Sequence, residues 1–170
     1  MQRLKKLLKI RGVKLAFEIA LLLLVFIALK TYMQRNLVQG TAPPVEGMLL
    51  SGQPINIQSY KGQPVLLHFW ATWCPVCKLE KNSINAISKD HAVITVAMNS
   101  GNELEVKTYL QEHNLTFPVI VDEHGMLAKQ FGVQGVPTSF VIDPNGNIAF
   151  TEVGYTTNWG LRFRLWLAQD

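Results

Sequence analysis

The 170-residue chain is short of the side chains on which most protein chemistry rests: two cysteines, four histidines and 12 acidic residues. Two cysteines cannot build a disulfide framework. With no second cysteine pair and no histidines at ligand spacing, a structural zinc site also lacks ligands. Internal repeats and low-complexity tracts are missing, and so is a peroxide-activating Thr-x-x-Cys with a matching arginine. Basic residues are scarce where a nucleic-acid surface would need them. The formal charge is +4, but residues 1–35 carry eight Lys/Arg against Glu18 alone, a net of +7, so residues 36–170 net −3. A basic footprint on the globular part is therefore absent, and no nucleic-acid partner is expected.

The N-terminal segment in turn lacks charge in its middle. From Leu15 to Leu29 every residue except Glu18 is apolar, and Ile19–Leu29 is unbroken. With its flanks the run reaches about 20 residues, the length that crosses a bilayer as a helix. Six basic residues precede it, which keeps the N-terminus cytoplasmic and sends the rest across. A cleaved signal peptide shares these features, but Lys30-Thr31-Tyr32-Met33-Gln34-Arg35 offers no A-x-A-like site. The expected organisation is a basic cytoplasmic tail (1–12), a single-pass signal anchor in the lipid bilayer (13–33), a linker (34–46) containing Gly40, Pro43 and Pro44, and a folded domain (47–170). A domain outside the cytoplasm can keep a disulfide.

Beyond the linker, apolar runs alternate with helical patterns. A hairpin is expected over Met48–Gln58, turning at Ser51-Gly52. Val65–Ala71, apolar but for His68, reads as a strand buried on both faces. A helix follows from Pro75 to about Lys89 with Val76, Leu79, Ile84 and Ile87 inward. Next come a strand at Val93–Met98, a helix at Glu103–His113, a strand at Phe117–Val121 and a helix at His124–Phe131. Thr138–Asp143 and Ile148–Val153 form strands joined by an Asn145-Gly146 turn. A last helix from Trp159 to Leu167 places Trp159, Phe163, Trp166 and Leu167 on one face, expected to pack on the sheet. The pattern predicts an α/β layered domain with a mixed sheet.

Both cysteines fall in "HFWATWCPVCKLE", residues 68–80. Cys74 stands at the predicted helix start, with Pro75 where proline is best tolerated. Unpaired N-terminal amides and the helix dipole favour a thiolate there. Cys77, one turn deeper, is placed to resolve a mixed disulfide formed at Cys74. A disulfide across three residues closes too small a loop to be a structural staple. Redox exchange is the leading reading. A Cu(I) site using both thiolates with His68, as in a copper-binding or metallochaperone module, stays open beside it.

"VLLHFWATWCPVC" followed by "GVPTSFVIDPNG" resembles the thioredoxin superfamily. With the N-terminal anchor, the chain resembles the TlpA/ResA/DsbE-like membrane-anchored protein disulfide oxidoreductases, the ScsD-like (suppressor of copper sensitivity) proteins above all. The resemblance spans about residues 45–168. It implies a thioredoxin-like three-layer fold with an extra α/β insertion over Asn102–Asp122. It also implies Cys74 as attacker, Cys77 as resolver, Trp73 as the shielding tryptophan, and a cis Val136-Pro137 loop that meets the substrate chain. The redox-active Cys74–Cys77 disulfide then serves in place of any cofactor, and no metal is expected.

In these relatives a glutamate three residues past the second cysteine belongs to the active site. Glu80 matches it, and it is expected to exchange a proton with Cys77; the plain alternative is a solvated charge between Lys78 and Lys81. The family often continues with a proline, where this chain has Lys81-Asn82-Ser83. His68 takes the strand position at which cytoplasmic thioredoxins carry a buried acid, and should be neutral or hydrogen-bonded if it faces the core. It either assists Cys77 or is a satisfied core histidine. The expected function is a reductase of extracytoplasmic protein disulfides at a bacterial inner membrane, recharged by a membrane dithiol donor of the DsbD/ScsB type. Apocytochrome c or copper-tolerance proteins are the substrates the resemblance suggests. A disulfide-donating oxidase is the rival.

Overall fold

The computed structural model describes the backbone of residues 2–169 and the side chains of 14, 15 and 17–169. The basic side chains Arg3, Lys5, Lys6, Lys9 and Arg11, on which the orientation argument rests, lie outside the described residues. The chain forms two units, residues 1–35 and 36–170. The first is one helix, α1 (Gln2–Gln34). Its stretch Phe17–Gln34 has a mean hydropathy of 1.7 over 18 residues, long and apolar enough to cross a membrane.

The second unit is built on a six-stranded mixed sheet. Its strands are β1 (Gly40–Thr41), β4 (Val65–Trp70), β5 (Ala92–Met98), β6 (Val119–Asp122), β7 (Thr138–Ile142) and β8 (Asn147–Val153); β2 (Glu46–Met48) and β3 (Pro54–Asn56) form a separate hairpin. The sheet order is β1-β8-β7-β4-β5-β6. β4, β5 and β6 run parallel, while β7, β8 and β1 pair antiparallel. Helices α2 (Pro75–Ile87), α3 (Glu103–Glu112), α4 (Met126–Gln130) and α5 (Asn158–Leu167) complete the unit. The α3–β6 pair is the insertion expected over Asn102–Asp122.

The central strands show why the sheet must be covered on both sides. Along β4 and β5, Leu66, Trp70, Val93 and Ala97 join the core beneath α2 and α5, while Val65, Leu67, Phe69, Ile94 and Val96 join the one beneath α4 and the hairpin. Successive residues in a strand point to opposite faces, so a strand apolar at nearly every position needs two covers. Part of the segment read as linker packs in the second core, through Leu37, Ala42 and Val45. Residues 57–58, read as the end of the hairpin, belong to a 3-10 turn over Ile57–Tyr60.

Two expectations about helix faces are corrected. In α2, Ile84 and Ile87 are buried as expected, but Val76 and Leu79 face solvent, Leu79 at 73 % exposure, and Cys77 and Glu80 take the inward positions. In α5, Leu161, Leu165 and Ala168 pack inward, and the aromatic stripe of Trp159, Phe163, Trp166 and Leu167 is exposed, Trp159 at 83 %. Both helices carry apolar residues at helical spacing on two faces. Periodicity cannot choose between two such faces; contacts with the rest of the fold do. Thr157 caps α5 through Gly160 N–H at 3.1 Å, and Asn158 Nδ2 ties its first turn to the Ser83 carbonyl at 3.2 Å.

Candidate active site

The site lies where β4 ends and α2 begins. Cys74 is the N-cap of α2, in extended conformation, and Pro75 fills the first helical position. Proline has no N–H to lose there and its fixed φ suits the helix. The N–H of Cys77, the third residue of the helix, donates to Cys74 Sγ at 3.1 Å. This donor and the helix N-terminus are what would hold Cys74 as a thiolate after reduction. Cys74 and Cys77 are joined as a disulfide with their Cα atoms 5.3 Å apart.

Across from the pair, the Val136–Pro137 peptide is cis, and the Val136 carbonyl oxygen lies 3.4 Å from Cys74 Sγ. Each cysteine is only 3 % exposed. A partner must therefore seat closely on this surface for a sulfur to reach Cys74. Trp73 is exposed beside it, and its indole Nε1–H donates to the Asn99 carbonyl at 2.9 Å. Ser100 Oγ accepts Thr72 N–H at 3.1 Å and donates to the Met98 carbonyl. The turn after β5 thus holds the residues just ahead of the cysteines. Sequence reasoning missed Asn99 and Ser100. The signal was a turn-forming Asn-Ser-Gly directly after a strand, and Asn99 indeed adopts φ 46°, a region asparagine tolerates better than most residues.

Glu80 on α2 and His68 on β4 meet in the core between helix and sheet. Glu80, one turn past Cys77, is 1 % exposed, so the solvated-charge alternative does not hold. Its Oε2 accepts Thr156 N–H at 3.0 Å, and its Oε1 lies 3.5 Å from His68 Nε2. His68 Nδ1 is 2.9 Å from Ser139 Oγ. Burial holds the imidazole neutral, lowering its pKa from 6.5 to about 3. Burial also raises Glu80 from 4.5 to about 7, with the Thr156 hydrogen bond pulling the other way. Burial thus disfavours the charged form of both groups, and the contact is a neutral imidazole beside a carboxyl that holds its proton more tightly than usual rather than an ion pair. His68 Nδ1 thus faces Ser139 and its Nε2 faces Glu80. Ser139 and Thr156 were also missed in the sequence, because one acts from a neighbouring strand and the other through its backbone.

The structure thus brings Trp73, Cys74, Pro75, Cys77, Val136 and Pro137 together at one end of the sheet, with Glu80 and His68 behind them. Comparison with known proteins gives a consistent picture. The sequence matches the Redoxin family over residues 38–159. It is 31 % identical over 169 residues to a thioredoxin-like protein of Haemophilus influenzae, covering 98 % of both chains. It is 32 % identical over 132 residues to the thiol-disulfide oxidoreductase ResA of Geobacillus thermodenitrificans, 75 % of this chain and 76 % of that one. Among solved structures, a thiol:disulfide interchange protein of the thioredoxin family from Chlorobium tepidum superposes with a TM-score of 0.69 at 28 % identity, covering 78 % of this chain and 98 % of its own.

Proposed function

The chain belongs to the Redoxin family and is a thiol-disulfide oxidoreductase of the ResA type, and from that premise we propose that it reduces disulfides of extracytoplasmic proteins while anchored in a bacterial inner membrane. The observation that carries the direction is the buried Glu80 one turn behind Cys77. A carboxylate in an apolar setting opposes a second negative charge nearby. It therefore disfavours the thiolates of the reduced form, whereas a strong disulfide donor owes its potential to stabilising them.

In the proposed cycle the Cys74 thiolate attacks one sulfur of a partner disulfide, and the other partner sulfur leaves as a thiolate. Cys77 loses its proton to Glu80 and attacks Cys74 Sγ, releasing the second partner sulfur. Two electrons pass to the partner and the Cys74–Cys77 disulfide closes. Val136 and Pro137 face the partner's extended chain, and Trp73 shields the exchange. A membrane dithiol donor of the DsbD/ScsB type returns the electrons. Residues 13–33 anchor the chain, with the N-terminus cytoplasmic and the catalytic unit outside. Cytochrome c maturation or copper tolerance is the setting this chemistry suits.

A trapping experiment tests the cycle. Full-length Cys77→Ser should accumulate mixed disulfides with extracytoplasmic proteins, and Cys74→Ser should accumulate none. Equal trapping by Cys74→Ser would overturn the assignment of attacker and resolver.

A further inference from the structure

Strand pairing sets four side chains in a row across the middle of the sheet: Thr95 on β5, His68 on β4, Ser139 on β7 and Glu152 on β8. Residues paired across strands share a face, and alternation along β4 puts this row with Leu66 and Trp70, on the side covered by α2. The row is polar where its neighbours are apolar. Thr95 Oγ1 donates to the Pro118 carbonyl at 2.8 Å, and Glu152 at the far end pairs with Arg164 of α5 at 2.7 Å. Between them sit His68 and, from α2, Glu80.

One atom in this arrangement has no hydrogen-bond partner. Glu80 Oε1 is fully buried and unbonded, and it faces His68 Nε2 across 3.5 Å. A buried acceptor left open costs about 1–3 kcal/mol, so the gap needs another reason to persist. Resting on the reading of Glu80 as the acceptor of the Cys77 proton, we propose that His68 is the positioning residue of that acceptor: its Nε2 orients Oε1 and shares the single proton the pair exchanges, while Ser139 fixes the other ring nitrogen.

The proton count is consistent in both states. With the carboxyl ionised, neutral His68 donates Nε2–H to Oε1 and accepts the Ser139 hydroxyl at Nδ1. With the carboxyl protonated, the entering proton sits on Oε1 and points to Nε2. The ring's own proton has shifted from Nε2 to Nδ1, where it donates to Ser139 Oγ, so the pair has gained one proton in all. A hydroxyl can serve both arrangements because it donates and accepts. The proton that enters comes from Cys77 S–H as its sulfur attacks Cys74, and the departing partner thiolate takes its own proton from water. The other groups on the surrounding elements are accounted for. Cys74 and Cys77 lie on α2, Lys78 is exposed, Lys81 lies over the Tyr109 ring, Tyr155 beside Thr156 is exposed, and Arg164 is held by Glu152. The burial-lowered pKa of His68 and the raised one of Glu80 support a proton held on the carboxyl side.

The test uses the reduced full-length chain in detergent micelles and the reagent 5,5′-dithiobis(2-nitrobenzoate). Attack by Cys74 releases one thionitrobenzoate and attack by Cys77 on the mixed disulfide releases the second, so the pH profile of the second release, measured relative to the first, reads the Cys77 proton. Replacing His68 by Leu removes a donor to the ionised carboxyl, and the acidic limb should move alkaline by about one pH unit. His68→Gln, whose amide N–H reaches toward Oε1, should restore it. His68→Asn, with an amide that meets Ser139 but falls short of Glu80, should behave as Leu does and replaces it where Leu disturbs folding. A limb unmoved in both Leu and Asn variants, together with its loss in Glu80→Gln, overturns the role of His68 and leaves that of Glu80 standing. A limb that survives in Glu80→Gln overturns both.

Discussion

Replacing Glu80 by Gln isolates the buried carboxyl. The amide keeps the shape and an oxygen for Thr156 N–H, and it removes the charge. Glu80 is buried and its pKa is raised from 4.5 to about 7. A carboxyl whose folded pKa lies above its unfolded one binds its proton more tightly in the native chain. Its ionised form therefore costs stability, in full above pH 7 and not at all below 4.5. At about 1.4 kcal/mol per pKa unit, that cost approaches about 3 kcal/mol. His68 acts with the opposite sign. Its pKa is lowered from 6.5 to about 3, so stability is lost as pH falls from 6.5 toward 3, where the unfolded chain takes a proton that the folded one refuses.

Between pH 6.5 and 4.5 the two effects cancel in the wild type, with one proton on Glu80 in the native chain and one on His68 in the unfolded chain. In Glu80→Gln the histidine acts alone. The variant should therefore be more stable than the wild type by up to about 3 kcal/mol at pH 8, with the advantage shrinking to nothing by pH 4.5. Urea unfolding of the oxidised full-length chain in micelles, followed by tryptophan fluorescence from pH 4.5 to 8, measures the difference. A difference that stays constant over this range would refute the raised pKa, and with it the case for Glu80 as a proton acceptor near neutral pH.

Further outcomes follow from packing. Leu161→Ala and Leu165→Ala empty buried positions of α5 and should each cost about 2–5 kcal/mol, whereas Trp159→Ser and Phe163→Ser on its exposed face should stay within about 0.5 kcal/mol; urea midpoints compare them, and equal losses on both faces would contradict the placement of α5. Gly132 has φ +71°, and a Cβ there would run into the Asn36 carbonyl, so Gly132→Ala should destabilise the catalytic unit by more than the ~1 kcal/mol of an ordinary backbone change. A thermal midpoint unchanged from wild type would count against the close approach of residue 36 to that turn.

Much of the fold was legible because the strands announce themselves. Val65–Trp70 and Ala92–Met98 are apolar on both faces, which only a doubly covered strand needs, and Asn145-Gly146 marks the hairpin between β7 and β8. The cysteine pair was legible because proline and the N-cap fix its place on α2. Which face of α2 and α5 turns inward was not legible, since each carries two apolar stripes and local spacing weighs them alike. The surroundings of His68 were hidden for another reason. Ser139, 71 residues away, and Thr156, 76 residues beyond Glu80, reach the pair only through strand order and a loop, and no local pattern encodes those neighbours.

The central claim is that Cys74 and Cys77 form a reducing couple. Equilibrating the full-length chain in micelles with glutathione buffers of graded ratio, and counting free thiols, gives its potential directly. The account predicts a value near that of thioredoxin, about −270 mV, and a value near that of DsbA, about −120 mV, would contradict it.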